Sequence, residues 1–300
     1  MGPVRYDIVH TTTYRYREPV HFGEHRVMFR PRDSHDLRVL ATDLLVSPDA
    51  SVRLIQDPHS NSIAIVQPLA PSVELRIVCS FTIEHAHSHN LELPLAPGTE
   101  FFPFAYSVEE RFDLEHYLRP HHDDPHGRLT AWARQFIRTD GPTPTRDLLV
   151  QMNQHIRDTF TYLARDEEGT QSPLQTLDKG SGSCRDFALL MMEAARRLGV
   201  ATRFVSGYLY DPALDEAGSE VSATVGAGST HAWLQAYLPG AGWVPFDPTN
   251  NLLGGNTLIR VAVARDPSQA APMSGSWFGP ADAYLGLQAT VQVRRQRGDT

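Results

Sequence analysis

The chain has 300 residues, 41% of them hydrophobic and 21% charged, enough apolar material for two ordinary domains; a disordered tail or a disulfide-stapled mini-protein is excluded. Its 21 glycines and 22 prolines follow no fixed period, which argues against collagen-like and repeat architectures. Against 35 acidic side chains stand 27 basic ones, a net charge of −8 without a basic run, so nucleic acid is not an expected partner.

Met1 to Thr13 lacks the run of about seven or more apolar residues that marks a secretory signal. No stretch approaches the roughly 18–20 apolar residues of a membrane span, and Tyr6 stands where a myristoylation signal needs Ser or Thr. Two cysteines, Cys79 and Cys184, do not make a disulfide framework. The expectation is a cytoplasmic, reduced protein with no membrane association.

From Val4 to about Glu92 short apolar and polar alternation is broken by turn residues. The clearest strand is Val73 to Ile83, with Val73, Leu75, Ile77, Cys79, Phe81 and Ile83 on one face. Turn signals at Ser47-Pro48-Asp49, at Asp57-Pro58-His59-Ser60-Asn61 and at Pro68-Leu69-Ala70-Pro71 divide the preceding segment into strands of sandwich-like length. Leu93 to Gly127, rich in proline, aromatics and histidine, reads as a crossover.

Two helical patterns follow, through Leu129, Trp132, Ala133, Phe136 and Ile137, and through Leu148, Leu149, Met152, Ile156 and Phe160. The polar stretch Ala164 to Gly180 reads as a loop that rims a cleft. A third helix opens at Ser183 or Cys184 and is apolar nearly all round, hence buried, until Gly199 stops it; Arg196 and Arg197 sit where the helix dipole favours cations. Strands are expected at 200–210, 230–238, 243–246 and 258–264. Helices followed by strands imply an α+β domain with an antiparallel sheet. The domains expected are a β-sandwich over 1–120, a catalytic core over 121–265 and a C-terminal extension over 266–300 that adds one strand through Ala289, Val291 and Val293.

Cys184 begins the buried helix, where unpaired N–H groups and the positive dipole end both favour a thiolate. Cys79, on the apolar face of a regular strand, reads as a small core residue. His231 lies 47 positions after Cys184 on a strand that turns at Pro239-Gly240-Ala241-Gly242, and Asp247 closes the returning strand. A thiol enzyme needs a base for the cysteine proton and a third group to fix the imidazole tautomer. If Leu238 pairs with Gly242, Trp233 faces Asp247 and His231 lies diagonally on the same side; a one-residue slip would destroy the constellation. The expected register keeps His231 and Asp247 on one face.

Gly182-Ser183-Cys184-Arg185-Asp186-Phe187-Ala188, Thr230-His231-Ala232-Trp233 and Trp243-Val244-Pro245-Phe246-Asp247-Pro248-Thr249 resemble the three core motifs of the bacterial transglutaminase-like superfamily. Tyr6 to Tyr16, with Phe29-Arg30-Pro31-Arg32, also resembles the β-rich domain that precedes the core in many bacterial members. The resemblance implies a papain-like α+β core with Cys184 as nucleophile, His231 as general base and Asp247 as orienting carboxylate, and acyl transfer through a thioester to water or to an amine. Two departures limit it. No glutamine stands at the usual distance before the cysteine, Gln175 being the nearest, so the Cys184 backbone N–H is the safer oxyanion donor. No calcium-loop sequence occurs, so no metal or other cofactor is expected.

Tyr162, Arg185, Asp186 and Trp233 are the candidate substrate-binding residues; for Arg185 and Asp186 an ion pair that holds the start of the helix is the competing reading. Seven of the 14 histidines, among them His85, His87 and His89 at alternating positions, lie between Glu84 and His126. Without a cysteine or tight carboxylate set beside them they read as packing rather than a metal site. The function expected is a cysteine peptidase or amidase acting on a peptide or protein substrate. Acyl transfer to an amine is the alternative, and a non-catalytic peptide-binding module the second; retention of all three reactive residues argues against the last.

Overall fold

In a computed structural model the chain is described over residues 3–86, 93–165, 168–215, 224–255 and 257–296. The N-terminal half is an antiparallel sheet of β1 (Val4–Val27), β2 (Leu37–Ser47), β3 (Ala50–Gln56), β4 (Ser62–Pro68) and β5 (Ser72–His85), in the order β2-β5-β1-β4-β3. The first half of β1 pairs with β5, from Val4↔His85 to Arg15↔Glu74, and its last residues pair with β4. The sheet thus turns along β1, and Tyr6, Ile8, Val27, Val66, Ile77 and Phe81 share one core. The period-two reading of β5 holds from Leu75 to Ile83, all buried with Cys79, while Val73 at the strand's start is exposed.

The crossover packs on the following core rather than closing the first unit at residue 120. Phe102 and Phe104 pack into the core cluster, and the Tyr106 hydroxyl donates to Tyr237 O (2.9 Å). The backbone N–H groups of His121 and His122 donate to the buried Glu193 carboxylate at 3.0 Å.

Four helices follow: α1 (Arg128–Arg134), α2 (Thr145–Thr159), α3 (Pro173–Lys179) and α4 (Cys184–Arg197). The segment expected as a loop therefore contains a helix. Ser172 Oγ accepts from Gln175 N (3.2 Å), Gln175 Oε1 accepts from Ser172 N (2.9 Å), Pro173 fills the first helical position and Gly180, at φ 58°, ends it. Helix α4 is buried as its composition demands, but Arg196 is not a surface cation at its end. Arg196 donates to Glu193 (2.8 Å) and to the carbonyls of Tyr117 (3.1 Å), Thr202 (2.8 Å) and Arg265 (2.7 Å), fixing crossover, helix and sheet together.

Helix α4 lies on an antiparallel sheet of β6 (Thr202–Leu209), β7 (Thr230–Leu238), β8 (Gly242–Asp247) and β9 (Leu258–Ala264), with the short strand Leu252–Leu253 beyond β8. The β7–β8 hairpin has the expected register, Leu238↔Gly242 through Leu234↔Phe246. The C-terminal segment adds two strands rather than one, β10 (Met273–Phe278) and β11 (Tyr284–Arg295), and both pair with β1. Val291 and Val293 are buried there, as their alternation predicts, while Ala289 on the same face is exposed. The two halves meet in a continuous core: Tyr208, Ile259 and Val261 join the N-terminal cluster, and the Tyr208 hydroxyl donates to Phe29 O at 3.0 Å. No helix among the described residues is long and apolar enough to cross a membrane.

Candidate active site

Ser183 is the N-cap of α4 and Cys184 its first residue, so the Cys184 N–H belongs to the turn that has no intrahelical acceptor. Asp186, at the third helical position, holds this start in place. Its carboxylate accepts from Ser183 N (2.8 Å), Ser183 Oγ (2.9 Å), Gln171 N (2.7 Å), Gln171 Nε2 (3.2 Å) and Arg165 Nη1 (2.9 and 3.0 Å). Burial opposes the charge, yet these donors hold the Asp186 carboxyl below its ordinary range. Gly182 is required by contact: a Cβ there would stand 2.8 Å from Asp186 Cβ.

At the start of β7, His231 Nε2 lies 2.8 Å from Asp247 Oδ2 at the end of β8, and both are buried. Asp247 also accepts from Thr249 N (3.0 Å) and Asn250 Nδ2 (2.9 Å). With Nε2 donating to the carboxylate, Nδ1 is the ring nitrogen that Asp247 does not engage, and Cys184 lies close enough to act on the imidazole. Burial disfavours the imidazolium, but Asp247 and Cys184 together outweigh it and raise the His231 pKa to about 10. The same pairing, against burial, holds Asp247 below its ordinary value. Cys79 sits in the other half of the molecule, where burial pushes its thiol up to about 11.

Of the four expected substrate contacts, two are corrected by burial. Asp186 is 0% exposed with its carboxylate fully engaged, so it supports the helix start and reaches no substrate. Trp233 is 1% exposed and stacks on His231 with ring centroids 6.0 Å apart, within the core rather than at an open surface. Tyr162 is partly exposed. The strand Thr161–Tyr162 runs parallel to Ser181–Gly182, which sets Tyr162 opposite Gly182. Burial, with Cys184 nearby, pushes its phenol up to about 12, so it keeps its proton. Arg185 donates to Arg165 O (3.2 Å) and ties the polar segment to the helix start. Gln171, Arg165 and Asn250 were not singled out from the sequence; each acts through a fold-dependent contact.

His87, His89, Asp166 and Glu167 lie outside the described residues. His85 is buried. Among the described residues no group of three or more His, Cys, Asp or Glu side chains is arranged to hold a metal ion.

A thiol at a helix start and a buried His–Asp pair thus stand on a helix and a hairpin that pack together, in an α+β unit with an antiparallel sheet. Residues 130–248 match the transglutaminase-like superfamily and residues 6–84 the bacterial transglutaminase-like N-terminal region. The chain belongs to this superfamily. It is 28% identical over 292 residues to the uncharacterized protein ML0607 of Mycobacterium leprae, covering 97% of this chain and 99% of that one. It is 26% identical over 324 residues to the uncharacterized protein Rv2569c of Mycobacterium tuberculosis, covering 99% and 95%. Among solved structures it resembles one described as a "Putative Cysteine Protease" from Cytophaga hutchinsonii, with a TM-score of 0.72 over 100% of this chain and 93% of that one. At 18% identity that likeness concerns the fold.

Proposed function

We propose that the protein is a cofactor-independent thiol enzyme that cleaves amide bonds of peptides or proteins, with Cys184 as nucleophile, His231 as proton carrier and Asp247 as the carboxylate that orients it. The observation that carries this reading is the buried 2.8 Å His231–Asp247 pair acting with the thiol that opens α4. With its pKa raised to about 10, His231 holds a proton at neutral pH, so the proton needed by a leaving amine is already in place.

The sulfur, its proton having passed to His231, attacks the amide carbonyl carbon, and the Cys184 N–H donates to the oxyanion. The C–N bond then breaks as His231 gives its proton to the departing amine, leaving a thioester and a neutral imidazole. Water attacks the thioester while giving a proton to His231; the C–S bond breaks, releasing the acid and restoring the starting pair. Tyr162 and Arg185 are the substrate contacts in this scheme. Hydrolysis is preferred to amine transfer because Lys179 is the sole lysine, which leaves a crosslinking enzyme almost no site on its own chain. Cytoplasmic placement belongs to the same reading, since the thiol must stay reduced.

The test is alkylation of each cysteine by iodoacetamide from pH 5 to 9, followed by mass spectrometry on the native protein and on His231→Ala. Rapid reaction of Cys184 at neutral pH, protection of Cys79 and loss of the rapid reaction in the variant are expected. A Cys184 rate indifferent to residue 231 would overturn the enzyme reading in favour of a binding module. Peptide cleavage assays with and without an added primary amine then separate hydrolysis from transfer.

A further inference from the structure

Outside the three reactive side chains, one carboxamide reaches both sides of the imidazole. Asn250 Nδ2 donates to Asp247 Oδ2 (2.9 Å), the same oxygen that His231 Nε2 contacts at 2.8 Å. The Asn250 side chain also grips the backbone of Val225 at two points, Nδ2 to Val225 O (3.0 Å) and Val225 N to Oδ1 (3.0 Å). The next residue, Gly226 at φ +93°, lies against the other edge of the ring: a Cβ there would stand 2.5 Å from His231 Nδ1 and 3.2 Å from Cε1 and Cγ. The carboxylate on one side of His231 and the backbone on the other are therefore set by a single side chain.

We infer that Asn250 is a positioning residue, clamping the Val225–Gly226 backbone and the Asp247 carboxylate so that the imidazole presents Nδ1 to Cys184, and that glycine at 226 is part of that clamp. The inference rests on the proposed catalytic roles and adds to them a residue that touches neither substrate nor sulfur. Both N–H groups of the Asn250 carboxamide and its oxygen are used in these contacts, which join the Asp247 carboxylate to the Val225 backbone beside the imidazole. The second observation is independent: only a residue without a Cβ fits against Nδ1, and Gly226 also has the positive φ that glycine tolerates.

The experiment compares Cys184 alkylation by iodoacetamide from pH 4 to 9 in the wild type, Asn250→Ala, Gly226→Ala, Gly228→Ala and His231→Ala, with thermal melts to verify folding. Gly228 has a similar positive φ (+82°), but a Cβ there would meet no atom within 4 Å, so it controls for backbone strain alone. Misplacing the imidazole by about 1 Å is expected to slow Asn250→Ala and Gly226→Ala roughly tenfold to a hundredfold, with Gly228→Ala much closer to wild type. Asn250→Ala should also move the acid limb of the profile to higher pH, because Asp247 loses a donor that stabilises its charge; His231 and, across the site, Tyr162 are the other ionisable groups acting there. A purely structural role would lower the rate without moving that limb. If His231→Ala reacts like the wild type, the catalytic reading itself fails. If His231→Ala is slow while Asn250→Ala and Gly226→Ala react like the wild type, or Gly226→Ala and Gly228→Ala lose equally, the clamp alone is overturned. Should Asn250→Ala fail to fold, the glycine pair decides.

Discussion

Replacing Asp186 by alanine tests whether the helix start that carries Cys184 is held by one buried carboxylate. The substitution removes the acceptor for two buried backbone N–H groups, Gln171 and Ser183, and for the Arg165 guanidinium. Arg165 is partly exposed and can turn to solvent, whereas the N–H groups cannot. Breaking a buried ion pair costs roughly 3–5 kcal/mol and each stranded buried donor about 1–3 kcal/mol; because these losses overlap, about 4 kcal/mol is expected for the variant. At about 2–4 °C per kcal/mol for a chain of this size, that is a fall of roughly 8–16 °C in Tm. Asp186→Asn, which keeps one acceptor oxygen but loses the charge, should lose about half as much. Thermal melts and urea titrations at pH 7 read the stability, and iodoacetamide reads the position of the thiol, which should react more slowly in both variants. A Tm unchanged within about 2 °C for Asp186→Ala would refute the argument that this carboxylate organises the site.

Two further outcomes follow from the site. The His231 pKa is raised in the folded state, so its pairing stabilises the fold fully below the ordinary histidine value and is lost as pH rises through about 10; urea stability should fall by a few kcal/mol between those limits, and His231→Gln should lack that dependence. Tyr162 makes no hydrogen bond through its hydroxyl among the described residues, so Tyr162→Phe should leave Tm within about 2 °C of wild type while lowering turnover of a peptide substrate roughly tenfold; unchanged turnover would remove Tyr162 from the site.

The elements around Cys184 were legible because their signals are local. Ser183 and Asp186 stand three positions apart before an apolar run, Gly199 closes it, and the Leu238–Gly242 turn sets the hairpin register that brings His231 and Asp247 together. Helix α3 carried a signal of the same kind, Ser172-Pro173 with Gln175, that acid and polar neighbours obscured. Asp186 and Trp233 flank Cys184 and His231; Asp186 is engaged by Gln171 and Arg165 as well as by its neighbour Ser183, and Trp233 stacks on His231, so their burial depends on contacts beyond the adjacent residues.

What the sequence by itself determined is therefore the place of Cys184 at the start of one helix and of His231 and Asp247 at the ends of one hairpin, and the α+β order that follows a β-rich segment. What only the tertiary structure decided is which groups surround them: β10 and β11 returning to β1, the crossover pinned by Glu193 and Arg196, and Asn250 joining Val225 to Asp247. Periodicity and capping are properties of a few adjacent residues and leave a local trace. Pairing between segments tens to hundreds of residues apart is selected by the burial and hydrogen-bond satisfaction of the whole chain, which no short stretch of it records.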